Sequence, residues 1–262
     1  MNITVCIKQV PGTSEVEIDE KTGNLIRDGI SAKMNPYDLY AIETAMQLKK
    51  QNDSKVNVIS MGPPQALDII KEAYMMGADS GYLLTDRKFA GADVLATAYT
   101  LSQGIKKMEN YDLIICGKMT TDGDTAQVGP EIAEFLGIPH VANVKKILDI
   151  NSKSITVEMD MSESLEIQEV QLPCLITVEK EIYQPRLPSF KLKLSTANRE
   201  IKQITFDDLD DSDVENFGLD GSPTQVLDIF PPESNRKNEK WEGTGKELGN
   251  KMAKKLKELK FV

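Results

Sequence analysis

Two apolar rhythms alternate along the first half of the chain. Short runs of adjacent apolar and β-branched residues, Ile3 to Ile7, Val56 to Ser60, Tyr82 to Leu84 and Leu113 to Cys116, show no polar face and read as strands buried on both sides. Between them apolar residues recur every three or four positions: Leu39, Ile42 and Met46, then Leu67, Ile70 and Tyr74, then Val94, Ala98, Leu101 and Ile105, then Val128, Ile132, Phe135 and Leu136. That spacing lays one apolar stripe along a helix. Asn35 as N-cap, Pro36 at the first helical position and Asp38 in the first turn suit a helix start, and Gly77 suits a helix end. Strands alternating with helices predict βαβ units and an α/β fold with a doubly wound, mostly parallel sheet. Right-handed crossovers then bring the loops after Ile7, Ser60 and Cys116 to one rim, the edge where open sheets bind ligands.

After His140 the pattern changes. Residues 141–150, 154–161 and 164–171 alternate apolar and polar positions around Asn/Ser turns, which predicts a small antiparallel meander with one exposed face. Leu172 to Val178 returns to a buried strand. Near the N-terminus, residues 17–19 and 25–27 around Gly23 and Asn24 read as a small hairpin. From about residue 183 prolines and acidic runs break the pattern, and a lysine-rich helix with Leu248, Met252, Leu256 and Leu259 at helical spacing closes the chain. Too few apolar residues lie here for a separate core. This reads either as a solvated tail or as an arm ordered on another subunit. The scattered Phe217, Leu219, Val226, Leu227, Ile229 and Phe230 favour the arm. The division is therefore 1–182 for the α/β domain, 183–200 for a surface loop and 201–262 for the arm.

The stretch Gly117, Lys118, Met119, Thr120, Thr121, Asp122, Gly123, Asp124, Thr125, Ala126, Gln127 and Val128 joins a buried strand to a helix start. Strand, glycine-punctuated polar loop and helix start can present free backbone N–H groups to a phosphate. Gly117 and Gly123 allow unusual dihedrals and close approach, and Thr120, Thr121 and Thr125 add hydroxyls. Carboxylates repel phosphate, so Asp124 is expected as a helix N-cap and Asp122 on a ribose or a backbone amide. The loop is neither a Walker A motif nor GxGxxG, and an ordinary strand-to-helix turn remains the competing reading. Asn35 likewise serves as a cap or turns its amide to a ligand, and the residues from Lys8 to Gly12 are a ligand loop or merely solvated.

Charge and cysteine usage narrow the field. A net charge of −10 argues against nucleic acid or an anionic membrane as the main partner. No apolar run is long enough to span a bilayer, and Met1 leads straight into a strand without a basic leader. A cytoplasmic protein with three reduced, buried thiols at Cys6, Cys116 and Cys174 is expected, with no CxxC and no metal ligand set. The single His140 reads as structural. No residue is asked to act as a nucleophile or general base.

Taken together, several stretches resemble the beta subunits of electron transfer flavoproteins over nearly the whole chain. They are Lys8-Gln9-Val10 after the opening strand, Met34 to Tyr37, Gly62-Pro63, Met76 to Asp79, Gly117-Lys118 with the stretch from Asp122 to Pro130, Leu172 to Thr177, and Pro185 to Ser189. Their order and spacing carry the resemblance. It implies an adenine-nucleotide-hydrolase-like fold in an alpha/beta heterodimer that moves electrons through flavin. The nucleotide contacts it implies are Cys6, Ile7 and Lys8, Asn35, Pro36, Tyr37 and Asp38, Met61 and Gly62, and the loop from Gly117 to Val128. Ordinary members hold AMP there. The run Asp122-Gly123-Asp124-Thr125-Ala126-Gln127 looks like that of the electron-bifurcating group, which implies FAD. NAD(H) is then the donor or acceptor, with ferredoxin or flavodoxin on one branch. On the other branch stands a flavin dehydrogenase for an acyl-CoA or a 2-hydroxy acid. Leu187, Phe190 and Leu192 match the loop that docks the dehydrogenase, with Phe190 at the position of the family's leucine anchor. Two stretches depart from the family pattern, Met159 to Glu163 and the segment after Phe190, which leaves the dehydrogenase open. The rival readings are a conventional carrier with AMP and a non-redox module like the universal stress proteins. An adenylating enzyme would want an SGGxDS-like loop after the first strand, which Lys8 to Gly12 is not.

Overall fold

The computed structural model describes residues 1–12, 32–108, 110–227 and 238–262. The expected hairpin at 17–27 lies outside the described residues. In chain order the elements are β1 (Asn2–Cys6), β2 (Gln9–Pro11), β3 (Ala32–Met34), α1 (Pro36–Asn52), β4 (Lys55–Met61), α2 (Leu67–Met76), β5 (Ser80–Leu84), α3 (Val94–Lys106) and β6 (Leu113–Gly117). There follow α4 (Val128–Leu136), β7 (His140–Ile150), β8 (Ser154–Asp160), β9 (Leu165–Gln171), β10 (Cys174–Val178), α5 (Phe190–Ser195), β11 (Ile201–Ile204) and α6 (Gly245–Glu258). By compactness the chain divides into Met1–Leu227 and Asp228–Val262.

The first unit is built on a nine-stranded sheet in the order β11-β5-β4-β1-β6-β10-β7-β8-β9. It is parallel from β11 to β7, and β8 and β9 add to it antiparallel. The predicted meander is thus an extension of the main sheet. The predicted helices flank the sheet on both faces. One face packs Ile42 and Met46 of α1 and Ile70 and Tyr74 of α2 against Ile3, Val5 and Ile115. The other packs Ala98, Leu101 and Ile105 of α3 and Ile132 of α4 against Ile59, Ile114 and Cys116. Both faces of β1 and β6 are buried, which is why those strands carry no polar alternation.

From β1 the chain builds outward through β4 to one side and returns through β6 to the other. The strand order therefore reverses between β1 and β6, and a crevice opens beyond their carboxyl ends at such a point. Every loop the sequence singled out for binding lies at or beside it. The stretch from Lys8 to Gly12 is more than a turn: β2 leaves β1 and pairs antiparallel with β3 just ahead of α1.

The segment from residue 201 onward divides in two, which corrects the expectation for its first part. β11 pairs with β5 at the edge of the main sheet, and Phe206, Leu209 and Phe217 join the α3/α4 core. Phe217 is 1% exposed and packs edge-on against Tyr99 and Phe206. A scattered apolar composition concealed this, because the residues plug a core built by another part of the chain. Val226 and Leu227 at the end of the unit stay exposed.

The second unit, described by itself, is the lysine-rich helix with its lead-in. Thr244 and Glu247 form a reciprocal capping box at the start of α6. Glu239 accepts from Trp241 Nε1 at 3.1 Å and pairs with Lys255 at 2.5 Å. Met252 and Leu259 are exposed.

Candidate functional site

The crevice between β1 and β6 is a cavity of about 360 Å³. Its floor is Cys6, Ile7 and Cys116 at the ends of the two strands, and its walls are Lys8, Met61, the loop after β6 and the first turns of α3 and α4. Of the residues expected to bind, Cys6, Ile7, Lys8, Asp38, Met61, Gly117, Lys118, Met119, Thr120, Gly123, Thr125, Ala126, Gln127 and Val128 line this space. Asn35, Pro36, Tyr37, Gly62, Thr121, Asp122 and Asp124 do not border it.

Asn35 explains how the wall is held. It occupies the N-cap position of α1 but makes no side-chain cap, so the simple capping expectation fails. Its amide is fully buried and turned to the loop after β6. Nδ2 donates to the Met119 carbonyl at 2.9 Å and to Asp38 Oδ1 at 2.9 Å, and Oδ1 accepts from the Thr121 N–H at 3.3 Å. Asp38 Oδ2 in turn accepts the Lys8 N–H at 2.7 Å. One buried Asn–Asp pair therefore ties the start of α1 to the loops after β1 and β6. Burial pushes the Asp38 carboxyl up to about 7, against the opposing bonds from Asn35 and the Lys8 N–H.

The loop's conformation differs from the expectation in three places. Gly117 and Gly123 do not use left-handed dihedrals; Asp124 (φ 51°) and Ala126 (φ 57°) do. Gly117 is required instead by close approach: a Cβ there would lie 2.6 Å from Asp38 Oδ1 and 2.7 Å from the Tyr37 carbonyl carbon. Asp124 does not cap α4, which begins after Gln127; its N–H donates to the Thr120 carbonyl within a turn. Asp122 takes the Lys8 ammonium, with oxygens at 2.7 and 2.9 Å, so the two loops are joined across the mouth. Burial opposes its ionisation, but the bonds from Lys8 and Thr120 outweigh it and hold the Asp122 carboxyl below its ordinary range. Lys118, the other cation of the loop, pairs with Glu179 at 2.6 Å.

Backbone donors are left to a ligand. Among the described residues, the N–H groups of Thr125, Ala126 and Gln127 enter no backbone hydrogen bond, and those residues face the cavity together with the first turn of α4. Strained left-handed residues around free amides make an anion-binding concavity. Asp38 and Tyr37 of α1 fill the space beside Gly117, so the free amides near Thr125 and the start of α4 are the part of the wall open to an anionic ligand.

The structure adds a wall the sequence reading missed. Ala92, Asp93, Val94, Thr97 and Leu101 border the cavity, whereas the sequence marks this helix only by the apolar spacing of Val94, Ala98, Leu101 and Ile105. Asp93 caps α3 through Ala96 N–H and also accepts from Thr224 N and Oγ1 at 3.0 and 2.7 Å. The segment after Phe217 thus secures this wall, a long-range relation that local spacing cannot signal.

The expected docking loop sits apart from the cavity. Leu187 is 87% and Phe190 73% exposed, while Leu192 is half-buried. Ser189 caps α5, and its N–H donates to the Met75 carbonyl at 2.9 Å. Arg186 donates its N–H, Nε and Nη2 to the buried Glu43 carboxylate at 3.1, 2.7 and 2.9 Å. No local motif predicts that ion pair, because its partners are far apart in sequence.

A profile of the electron transfer flavoprotein domain matches residues 22–209. The chain belongs to the electron transfer flavoprotein family. It is 45% identical over 262 residues to the electron transfer flavoprotein subunit beta of Clostridium acetobutylicum, with the whole of both chains covered. It is 44% identical over 264 residues to the caffeyl-CoA reductase-Etf complex subunit CarD of Acetobacterium woodii, again over the whole of both. Protein FixA of Azorhizobium caulinodans is 40% identical, covering 88% of this chain and 85% of the relative. The similarity places the chain with the beta subunits, which work with an alpha subunit. Among the described residues no helix is long and apolar enough to cross a membrane, and no group of three or more His, Cys, Asp or Glu side chains could hold a metal ion.

Proposed function

We propose that this beta subunit holds the adenylate half of an FAD in the β1/β6 cavity and, with its alpha subunit, serves flavin-based electron bifurcation. Electrons would pass between NAD(H), a low-potential ferredoxin or flavodoxin, and a flavin dehydrogenase acting on an acyl-CoA or a 2-hydroxy acid. The observation that carries the reading is the loop after β6. Gly117 packs without a side chain against α1, and small residues at Gly123 and Ala126 clear a path out of the cavity beside free backbone amides. The similarity over the full chain to a subunit of a caffeyl-CoA reductase-Etf complex supports the same direction.

When bound, the flavin supplies the electron chemistry; the chain supplies binding, orientation and exclusion of water. Asn35 and Asp38 fix the wall, and the Lys8–Asp122 pair closes the two loops over the mouth. Thr125, Ala126, Gln127 and the first turn of α4 receive the phosphates. Leu187 and Phe190 on the loop held by Glu43 dock the dehydrogenase, and the segment 238–262 packs on the alpha subunit in the cytoplasm.

Identifying the nucleotides released on denaturing the purified heterodimer tests this reading. FAD without AMP supports it. An equal amount of AMP and FAD supports the conventional carrier instead, with AMP in this cavity. ATP released from a homodimer of this chain alone would favour the non-redox module.

A further inference from the structure

The cavity floor carries two thiols to which the proposed function gives no chemical part. Cys6 ends β1 and Cys116 lies near the end of β6; the two strands are parallel neighbours that pair Cys6 with Cys116 in register. Both side chains lie on the α3/α4 face, in the core with Leu101 and Ile132, whereas Val5 and Ile115 lie on the other face. Both border the cavity and both are free thiols. Neighbouring strands run about 4.8 Å apart, inside the span of about 4.4 to 6.8 Å between Cα atoms that a disulfide bridges. Cys174 supplies an internal contrast. It pairs with Leu113 and lies on the α1/α2 face.

We propose that Cys6 and Cys116 close to a reversible disulfide when a hydroperoxide enters the cavity, and that the bond hinders nucleotide binding. One sulfur attacks the peroxide, so that an S–O bond forms and the O–O bond breaks, releasing water or an alcohol. The second sulfur then displaces the sulfenic oxygen as water, forming S–S and breaking S–O. The thiols lose two electrons and two hydrogens, and the peroxide gains them. Directly paired parallel positions are a tight fit for a disulfide, and a strained bond is the readily reduced kind. The neighbouring Cys6 and burial push the Cys116 thiol up, so Cys116 is slow to react. Closing it moves two strand ends that continue into Lys8 and Gly117. Gly117 has no room to give, with Asp38 and Tyr37 against it.

The cross-link stands independently of the nucleotide reading; its effect on binding rests on that reading. The full chain with its alpha subunit, freed of nucleotide, is treated with hydrogen peroxide, then mapped by peptide mass and titrated with AMP. The expected result is a Cys6–Cys116 peptide, Cys174 still a thiol, AMP affinity lowered by about tenfold, and recovery of both with dithiothreitol. Cys116→Ser should give no cross-link and the same AMP affinity before and after peroxide; Cys6→Ala serves if that variant does not fold. Unmodified thiols, or sulfinic acid on single residues without a cross-link, overturn the proposal. A cross-link with unchanged AMP affinity overturns its second half. A reduced complex that binds neither AMP nor FAD in this cavity sinks the nucleotide reading, while the peptide masses still decide the cross-link.

Discussion

Asn35 reaches across from the start of α1 and donates to the Met119 carbonyl at 2.9 Å, 84 residues along the chain. Removing that amide leaves the Met119 carbonyl and the Thr121 N–H without their partner and frees the loop that walls the cavity. Each buried group left unpaired costs about 1–3 kcal/mol. Asn35→Ala should therefore lower stability in chemical denaturation by roughly that amount. It should also weaken AMP binding by calorimetry more than Thr121→Ala does. Equal effects of the two variants would mean that the Asn35 amide does not hold the loop in its binding shape.

Asp38 links stability to pH. Its folded pKa, about 7, lies above its ordinary 3.8 because of burial. A carboxyl shifted upward stabilises the folded state while protonated, and that contribution is lost as pH rises through the folded value. Stability attributable to Asp38 should thus decline between about pH 4 and about pH 7. Thermal melts across that range should show a steeper decline for the native chain than for Asp38→Asn. Parallel curves would contradict the burial argument.

Phe217 tests the division of the C-terminal segment. Its ring sits within the α3/α4 core against Phe89, Tyr99 and Phe206. Phe217→Ala should cost about 3–5 kcal/mol of unfolding free energy, while Leu227→Ala, almost fully exposed, should cost under about 0.5 kcal/mol. Urea denaturation compares them directly.

Phe190 and Arg186 separate docking from folding. Phe190 is exposed, so Phe190→Ala should leave the melting temperature and the heterodimer unchanged. Electron transfer to the cognate dehydrogenase should fall through a raised KM. Arg186→Ala leaves the buried Glu43 carboxylate without its guanidinium and should lose stability as well, by about 1–3 kcal/mol. Unchanged electron transfer in Phe190→Ala with an intact heterodimer would exclude the anchor role.

The parallel core was legible because strands buried on both faces leave continuous apolar runs, as in Ile3 to Ile7 and Leu113 to Cys116, and flanking helices leave a three-to-four spacing. The rim loops followed from topology. Relations between distant residues were not legible. Asp122 was assigned to a ribose or an amide because nothing local shows that Lys8 lies beside it. Asp124 was assigned a cap because acidic residues commonly start helices, while the loop instead spends two left-handed residues before α4. Asp93 and Thr97 escaped notice because a helix N-terminus facing a cavity has the same local pattern as one facing solvent. Phe217 looked like part of an arm because composition does not reveal which core an isolated aromatic enters.

The central claim is that the β1/β6 cavity takes the adenylate half of a flavin dinucleotide, and that its wall keeps its shape because Gly117 packs without a side chain against Asp38 and Tyr37. Counting FAD per alpha/beta pair in the native complex and in Gly117→Ala tests it most directly. Two in the native pair and one in the variant is the predicted result. One in the native pair, or two in both, would contradict it.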